Sequence, residues 1–195
     1  MLPFLFDAMA YKRPHLKKLG EIVRAHGSGR PDLALLAREL GAVVHRHSLA
    51  LADELDALRR AERFERWRLG AHRGEGAEVL IMVWPPNHAT PVHDHAGLWG
   101  LEMALYGALS VENWQRGPDG SLRAGGRQWL GPGDACWFED AASGLHRCRN
   151  LSRQACALSL HVYGGRLEHY LAYAPTPQAA WRTRRQRARV IGQLA

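Results

Sequence analysis

Apolar residues recur with two different periods along this chain, and the change between them divides it. Up to about residue 62 the spacing is helical. Pro31 and Asp32 open the segment DLALLAREL and Gly41 follows it, with Pro early and Gly late as helices prefer. Ser48 can cap a next segment, SLALADELDALRRAE, in which Leu51, Leu55 and Leu58 recur on one face and charges fill the others. No chemical motif falls in these helices, so their expected role is to cover one side of the remaining chain. From about Phe64 the pattern shortens. Apolar, β-rich runs are expected as strands over 77–84, 98–105, 108–114, 121–130, 134–138, 145–149 and 155–163. Pro85-Pro86, Gly107, the GPDG turn at 117–120, Gly125-Gly126 and the GPGD turn at 131–134 separate them. Many short strands at close spacing predict a sandwich or barrel. The organisation expected is a helical cover over 1–62, a β-barrel over 63–175 and a basic tail over 176–195, within one structural domain.

Composition narrows the class. A chain of 195 residues with 46% hydrophobic content can bury one real core. The net charge is +7, and much of the excess sits in WRTRRQRARV as Arg182, Arg184, Arg185, Arg187 and Arg189. That stretch reads as a solvated tail or the exposed face of a final helix. No aromatic interleaving or DNA-binding motif accompanies it, so a nucleic-acid partner is not expected. The three cysteines, Cys136, Cys148 and Cys156, are odd in number and irregular in spacing, which argues for free buried thiols rather than a disulfide framework. MLPFLFDAMAYKRP has no basic region ahead of its short apolar patch, and no run of eighteen apolar residues occurs. A cytoplasmic protein without a membrane span is the expectation.

The candidate chemistry lies in the β region. His93 and His95 in PVHDH are two apart, so on a strand they share a face while Asp94 points away. Such an HxH pair is consistent with metal ligation or with hydrogen-bonded core histidines. His146 in GLHRCRN completes a three-imidazole set only if its strand lies beside theirs. The remaining histidines, among them His72, His88 and His169, have no comparable context. Ser159, His161 and Tyr163 alternate strictly in SLHVY. They form either a polar row aimed at a site or a solvent-facing row opposite Leu158, Leu160 and Val162.

Taken together, PVHDH, the terminal Gly of GLWGLEMALYG, GLHRCRN and SLHVY, in that order and spacing, resemble the cysteine dioxygenase family, a branch of the cupin barrels. The resemblance runs from about Phe64 to Tyr163. It implies a cupin-type β-barrel in which His93, His95 and His146 hold Fe(II), with a small thiol and O₂ as reactants and a sulfinic acid as product. Three neutral ligands would leave the ion's full charge to favour thiolate. The family's Ser-His-Tyr row maps onto Ser159, His161 and Tyr163. Tyr163 would sit near the reactants, His161 would orient it, and Ser159 would hold His161. Arg66 in FERWRLG falls where cysteine enzymes carry an Arg for the substrate carboxylate, and a slip of alignment would favour Arg68 instead. L-cysteine is therefore the first substrate expected, with 3-mercaptopropionate or another mercapto acid as the alternative. Departures also stand out. Gly100 replaces the Cys that crosslinks to the Tyr in animal enzymes. Gly164-Gly165-Arg166 replaces their Ser-Pro-Pro, and Trp99-Gly100 is shared with the mercaptopropionate branch. That branch carries a second Arg where this chain has Ala172. Glu102 is unusual: it is either a buried partner for Arg66 or for a substrate amine, or a surface residue. Other classes left open are a cupin isomerase or hydrolase using another metal, and a non-catalytic binding cupin.

Overall fold

The structure, a computed structural model, describes residues 13–27, 29–70, 76–140, 144–177 and 181–194. His72 lies outside them. Two α-helices, α1 (Pro14–Ala25) and α2 (Leu33–Glu54), lead into a short 3-10 helix at Asp56–Arg60. Twelve strands come after it: β1 (Glu65–Arg68), β2 (Glu78–Trp84), β3 (Val92–His93), β4 (Gly100–Tyr106), β5 (Leu109–Arg116), β6 (Leu122–Leu130), β7 (Ala135–Phe138), β8 (His146–Asn150), β9 (Ala157–Tyr163), β10 (His169–Pro175), β11 (Trp181–Arg187) and β12 (Gly192–Gln193). They form two six-stranded sheets, ordered β12-β1-β2-β9-β4-β7 and β11-β10-β3-β8-β5-β6. This is the mainly β, barrel-like sandwich with N-terminal helices that the strand pattern predicts, and it agrees with the cupin-type barrel that the resemblance implies.

Helix α2 starts where the sequence places it: the Asp32 carboxylate accepts a hydrogen bond from Leu35 N at 3.0 Å. Gly41 does not end it. The helix continues to Glu54, because Gly41 serves packing instead, and a Cβ there would lie 2.9 Å from the carbonyl oxygen of Gly133. The expected break survives as a kink, with His47 at φ −125°, ψ 25° immediately before Ser48. The Arg-rich stretch is also corrected. It is neither a loose tail nor a helix face but β11, an edge strand paired along its length with β10, followed by β12 beside β1. Backbone pairing does not depend on side-chain polarity, and charged side chains suit a sheet edge.

The central strand β9 is buried on both faces, and this decides the orientation of the site. Leu158, Leu160 and Val162 join Val79, Ile81, Val83, Leu101, Met103 and Leu105 in one apolar cluster with Leu16, Leu19, Leu36, Leu40 and Val44 of the helices. The alternate residues of β2, β4 and β9 point the other way, into the barrel, beside Leu109, Val111, Leu130 and Cys148 of the second sheet. The helices thus occupy the face that would otherwise meet water. The row Ser159, His161, Tyr163 is consequently internal, at 0, 2 and 1% exposure.

Candidate metal centre and pocket

Strands β3 and β8 pair so that His93 and His146 are direct cross-strand partners. This adjacency is the one that sequence spacing could not supply. The ring centroids of His93, His95 and His146 lie 4.7–5.0 Å from one another. One potential ligand atom from each falls within 4.8 Å of the other two. Backbone carbonyls fix two of the tautomers. Nδ1 of His93 donates to the Pro91 carbonyl at 3.0 Å, and Nδ1 of His95 donates to that of Gly144 at 2.9 Å. A carbonyl only accepts, so both rings offer an Nε2 lone pair. Nε2 of His95 and Nε2 of His146 are buried and lack hydrogen-bond partners. Orphaned buried nitrogens converging on one point are what a divalent ion requires. Burial, reinforced by the His146 ring, pushes His93 down to about 3 and His95 well below its ordinary value, which keeps both neutral. Asp94 points away as expected, and its carboxylate accepts from Leu171 N and Tyr173 Oη at 2.9 Å each, tying β3 to β10.

Beside these rings runs a second line of polar atoms. The indole Nε1 of Trp84 donates to Ser159 Oγ at 2.7 Å, and Ser159 Oγ lies 2.8 Å from His161 Nε2. His161 Nδ1 lies 3.1 Å from Tyr163 Oη. The indole can only donate, so Ser159 accepts from it and is left free to donate to His161 Nε2. Nδ1 then lies between Tyr163 Oη and Glu102 Oε1, 3.1 Å from each. Burial, with the Glu102 carboxylate nearby, pushes the Tyr163 phenol well above its ordinary range.

Arg66 and Arg68 share a side of β1 but have different surroundings. Arg68 forks onto Glu78 Oε1 at 2.9 and 3.2 Å, and Glu78 Oε2 accepts from Leu167 N at 3.0 Å. Arg66 instead lines a small, tightly filled pocket with Phe64, His93, Glu102, His161, Tyr163 and Tyr170 among its walls. Its guanidinium carbon stands 4.7 Å from the Phe64 ring centre and 5.6 Å from that of Tyr170, and its buried Nε has no hydrogen-bond partner.

The model of the cysteine dioxygenase type I family matches residues 52–175. The chain belongs to that family. Cysteine dioxygenase type 1 of Danio rerio is 31% identical over 91 residues, which span 44% of this chain and 43% of that protein. The match therefore covers under half the length of this curated relative. Among solved structures, the protein TT1209 from Thermus thermophilus is 26% identical over 57% of this chain and 94% of its own, with a TM-score of 0.42. A cupin 2 conserved barrel domain protein from Salinispora arenicola is 16% identical over 54% and 78%, with a TM-score of 0.40.

Within this family member, Gly100 and Tyr163 are cross-strand partners, and Gly100 also pairs with Phe138. A Cβ at residue 100 would overlap the Phe138 ring and lie 3.0 Å from Tyr163 Cδ1. The Phe138 ring fills the space and stacks on His95 at 4.3 Å. A Cβ at Gly164 would likewise collide with the Trp99 indole. Ala172 pairs with His93 and is buried, so no charged side chain enters from that position.

Tyr170 has no counterpart in the sequence reading, and Glu102 is a residue whose place that reading leaves open. Tyr170 reaches the pocket from β10, with its ring 5.5 Å from that of His93, and β10 gave no sequence signal of its own. Glu102 is no surface residue. It is 2% exposed, and its Oε1 lies 3.1 Å from His146 Nε2, 3.1 Å from His161 Nδ1 and 3.9 Å from His95 Nε2. Its ion-pair contacts among the described residues are all to histidine, which replaces the expected pairing with Arg66. Burial would raise its carboxyl, but the His146 and His161 rings outweigh this and hold it well below its ordinary range.

Proposed function

We propose that this protein is an iron-dependent thiol dioxygenase that converts a small thiol carboxylate and O₂ into the corresponding sulfinic acid, R–SH + O₂ → R–SO₂H. The observation that carries the reading is the convergence of three buried imidazoles, two of them with orphaned Nε2 atoms, beside a pocket that His93 lines together with Tyr163 and Arg66. Its His93, His95 and His146 would hold the metal. Fe(II) at that point would supply open positions for both reactants and mediate the passage of four electrons from sulfur to O₂.

The roles of the chain's own groups follow from their chemistry. Arg66 is a half-buried cation whose buried Nε is unsatisfied, and a substrate carboxylate would answer both charge and hydrogen bond. Tyr163 keeps its proton at neutral pH and can donate a hydrogen bond to a developing negative charge in the pocket. His161 orients that hydroxyl, and Ser159, held by Trp84, orients His161. Phe64, Phe138, Tyr170 and Leu167 keep water out, which strengthens each of these interactions. L-cysteine is the first substrate to test, and the protein's free cysteines suit a reducing, cytoplasmic setting.

The test is oxygen uptake by the iron-loaded chain with cysteine, 3-mercaptopropionate, mercaptosuccinate, homocysteine and cysteamine, read together with sulfinate formation. One mole of sulfinate should form per mole of O₂ with at least one thiol carboxylate. Absence of thiol-dependent uptake across the whole panel refutes the proposal.

A further inference from the structure

The feature that the three-histidine reading does not absorb is Glu102. We infer that Glu102 is a fourth ligand of the ion held by His93, His95 and His146, so that the centre binds its thiol through sulfur alone. The inference rests on that three-histidine reading and adds a residue to it.

The geometry carries it. Ligand bonds of about 2.1 Å place neighbouring donor atoms about 3.0 Å apart at right angles and about 4.2 Å apart when opposed. Oε1 of Glu102 lies 3.1 Å from Nε2 of His146 and 3.9 Å from Nε2 of His95. The first separation is that of adjacent ligands, and the second falls between the two limits. Neither contact is a hydrogen bond, since both nitrogens lack a hydrogen-bond partner despite the short approach. Glu102 and His146 belong to a group whose candidate ligand atoms lie within 4.8 Å of one another, and His146 is shared with the three-histidine group. The backbone places the carboxylate there: β4 runs beside β9 with Glu102 opposite His161, and it turns Gly100, Glu102 and Ala104 inward together. The other carboxylate oxygen accepts from the Cys148 thiol at 3.3 Å, which fixes the rotation of the group.

The charge balance agrees. Glu102 is buried among imidazoles, with no Lys or Arg ion pair among the described residues. A buried carboxylate needs a cation or a proton. A divalent ion among the imidazoles would supply that charge.

The consequence is a substrate class. Three imidazoles and one carboxylate leave two positions on a six-coordinate ion, and the two reactants need both. No position remains for a substrate amine. The preferred substrate is then a small mercapto acid whose carboxylate pairs with Arg66, and an α-amino group contributes nothing to binding.

Anaerobic Co(II) titration against a competing chelator tests this without turnover. Loss of a hydrogen-bonding neighbour costs about 10–100-fold in affinity, so Glu102→Gln and Glu102→Ala should each weaken Co(II) by more than about 100-fold. A smaller loss overturns the inference. A His93→Ala control separates the two levels. If it binds Co(II) as the parent does, the three-histidine reading fails; if it loses the metal while the Glu102 variants keep it, only the present inference fails. Should the variants not fold, a crystal structure of the Co(II)-loaded parent decides: Oε1 within about 2.2 Å of the ion supports the inference, and a separation beyond about 3 Å overturns it. For substrate class, 3-mercaptopropionate should bind the Co(II) form at least as tightly as cysteine. Cysteine binding more than tenfold tighter would show a coordinated amine and overturn the two-position site.

Discussion

Gly100→Ala is the smallest change that tests how the pocket wall holds the metal site. The added methyl would overlap the Phe138 ring, at 2.9 Å from Cε2, and lie 3.0 Å from Tyr163 Cδ1. Comfortable carbon contacts are about 3.5–4.0 Å and Cζ lies nearer than Cε2, so the ring must retreat by more than about 1 Å. It has little room, because it stacks on His95 at 4.3 Å and a Cβ at Gly144 would already lie 2.9 Å from its Cδ2. Overpacking of this kind costs about 1–3 kcal/mol, or roughly 2–12 °C in Tm for a chain of this size. Displacement should also reach His95, and a misplacement near 1 Å can cost about 10²-fold in rate. The assay is thermal unfolding alongside Co(II) affinity for Gly100→Ala, Phe138→Leu and the double variant. Phe138→Leu should create room, so the double variant should recover most of the metal affinity lost by Gly100→Ala. Additive losses in the double variant, or no loss from Gly100→Ala alone, would refute the view that Gly100 exists to admit the Phe138 ring.

Two further outcomes separate the roles of neighbouring groups. Arg66→Ala should raise KM for carboxylate-bearing thiols far more than for cysteamine, whereas Arg68→Ala should lower stability by about 1.5–3 kcal/mol with KM little changed, because its fork onto Glu78 is structural; equal KM effects in both variants would remove Arg66 from the pocket. In the metal-free protein, His93 stays neutral down to about 3 while an unfolded histidine protonates near 6.5. Between those values the unfolded chain binds the extra proton, so stability rises with pH, and Tm of the metal-free form should fall steadily as pH drops below 6.5. A Tm flat from about pH 6.5 to about pH 4.5 would contradict the buried, neutral ring.

Much of the fold could be read from local pattern, and the parts that could not depend on distant pairings. The step of two between His93 and His95 puts both rings on one face whatever surrounds them, and the shortened apolar runs mark most of the strands. Whether His146 joins them depends on β8 lying beside β3. The direction of Ser159, His161 and Tyr163 was undecidable because alternation is identical for an inward and an outward row; the helices packed on the opposite face settle it. Arg66 and Arg68 are equivalent by alternation, and only Glu78, on the next strand, distinguishes them. Glu102 stands out locally as a carboxylate in an apolar run, but whether it is buried, and against what, depends on the histidines it approaches. The Arg-rich end misled because charge density says nothing about backbone pairing, and β11 is held by its partner strand.

The slab of aliphatic side chains beneath the two helices makes the barrel inseparable from its cover. A shortened chain beginning at Phe64 would bare an oily sheet whose reverse carries the reactive row, and such a sheet would adhere to its own copies before it could bind anything else. Residues far from the pocket, such as Leu36 and Leu40, are in this sense the backing plate against which Ser159, His161 and Tyr163 are held.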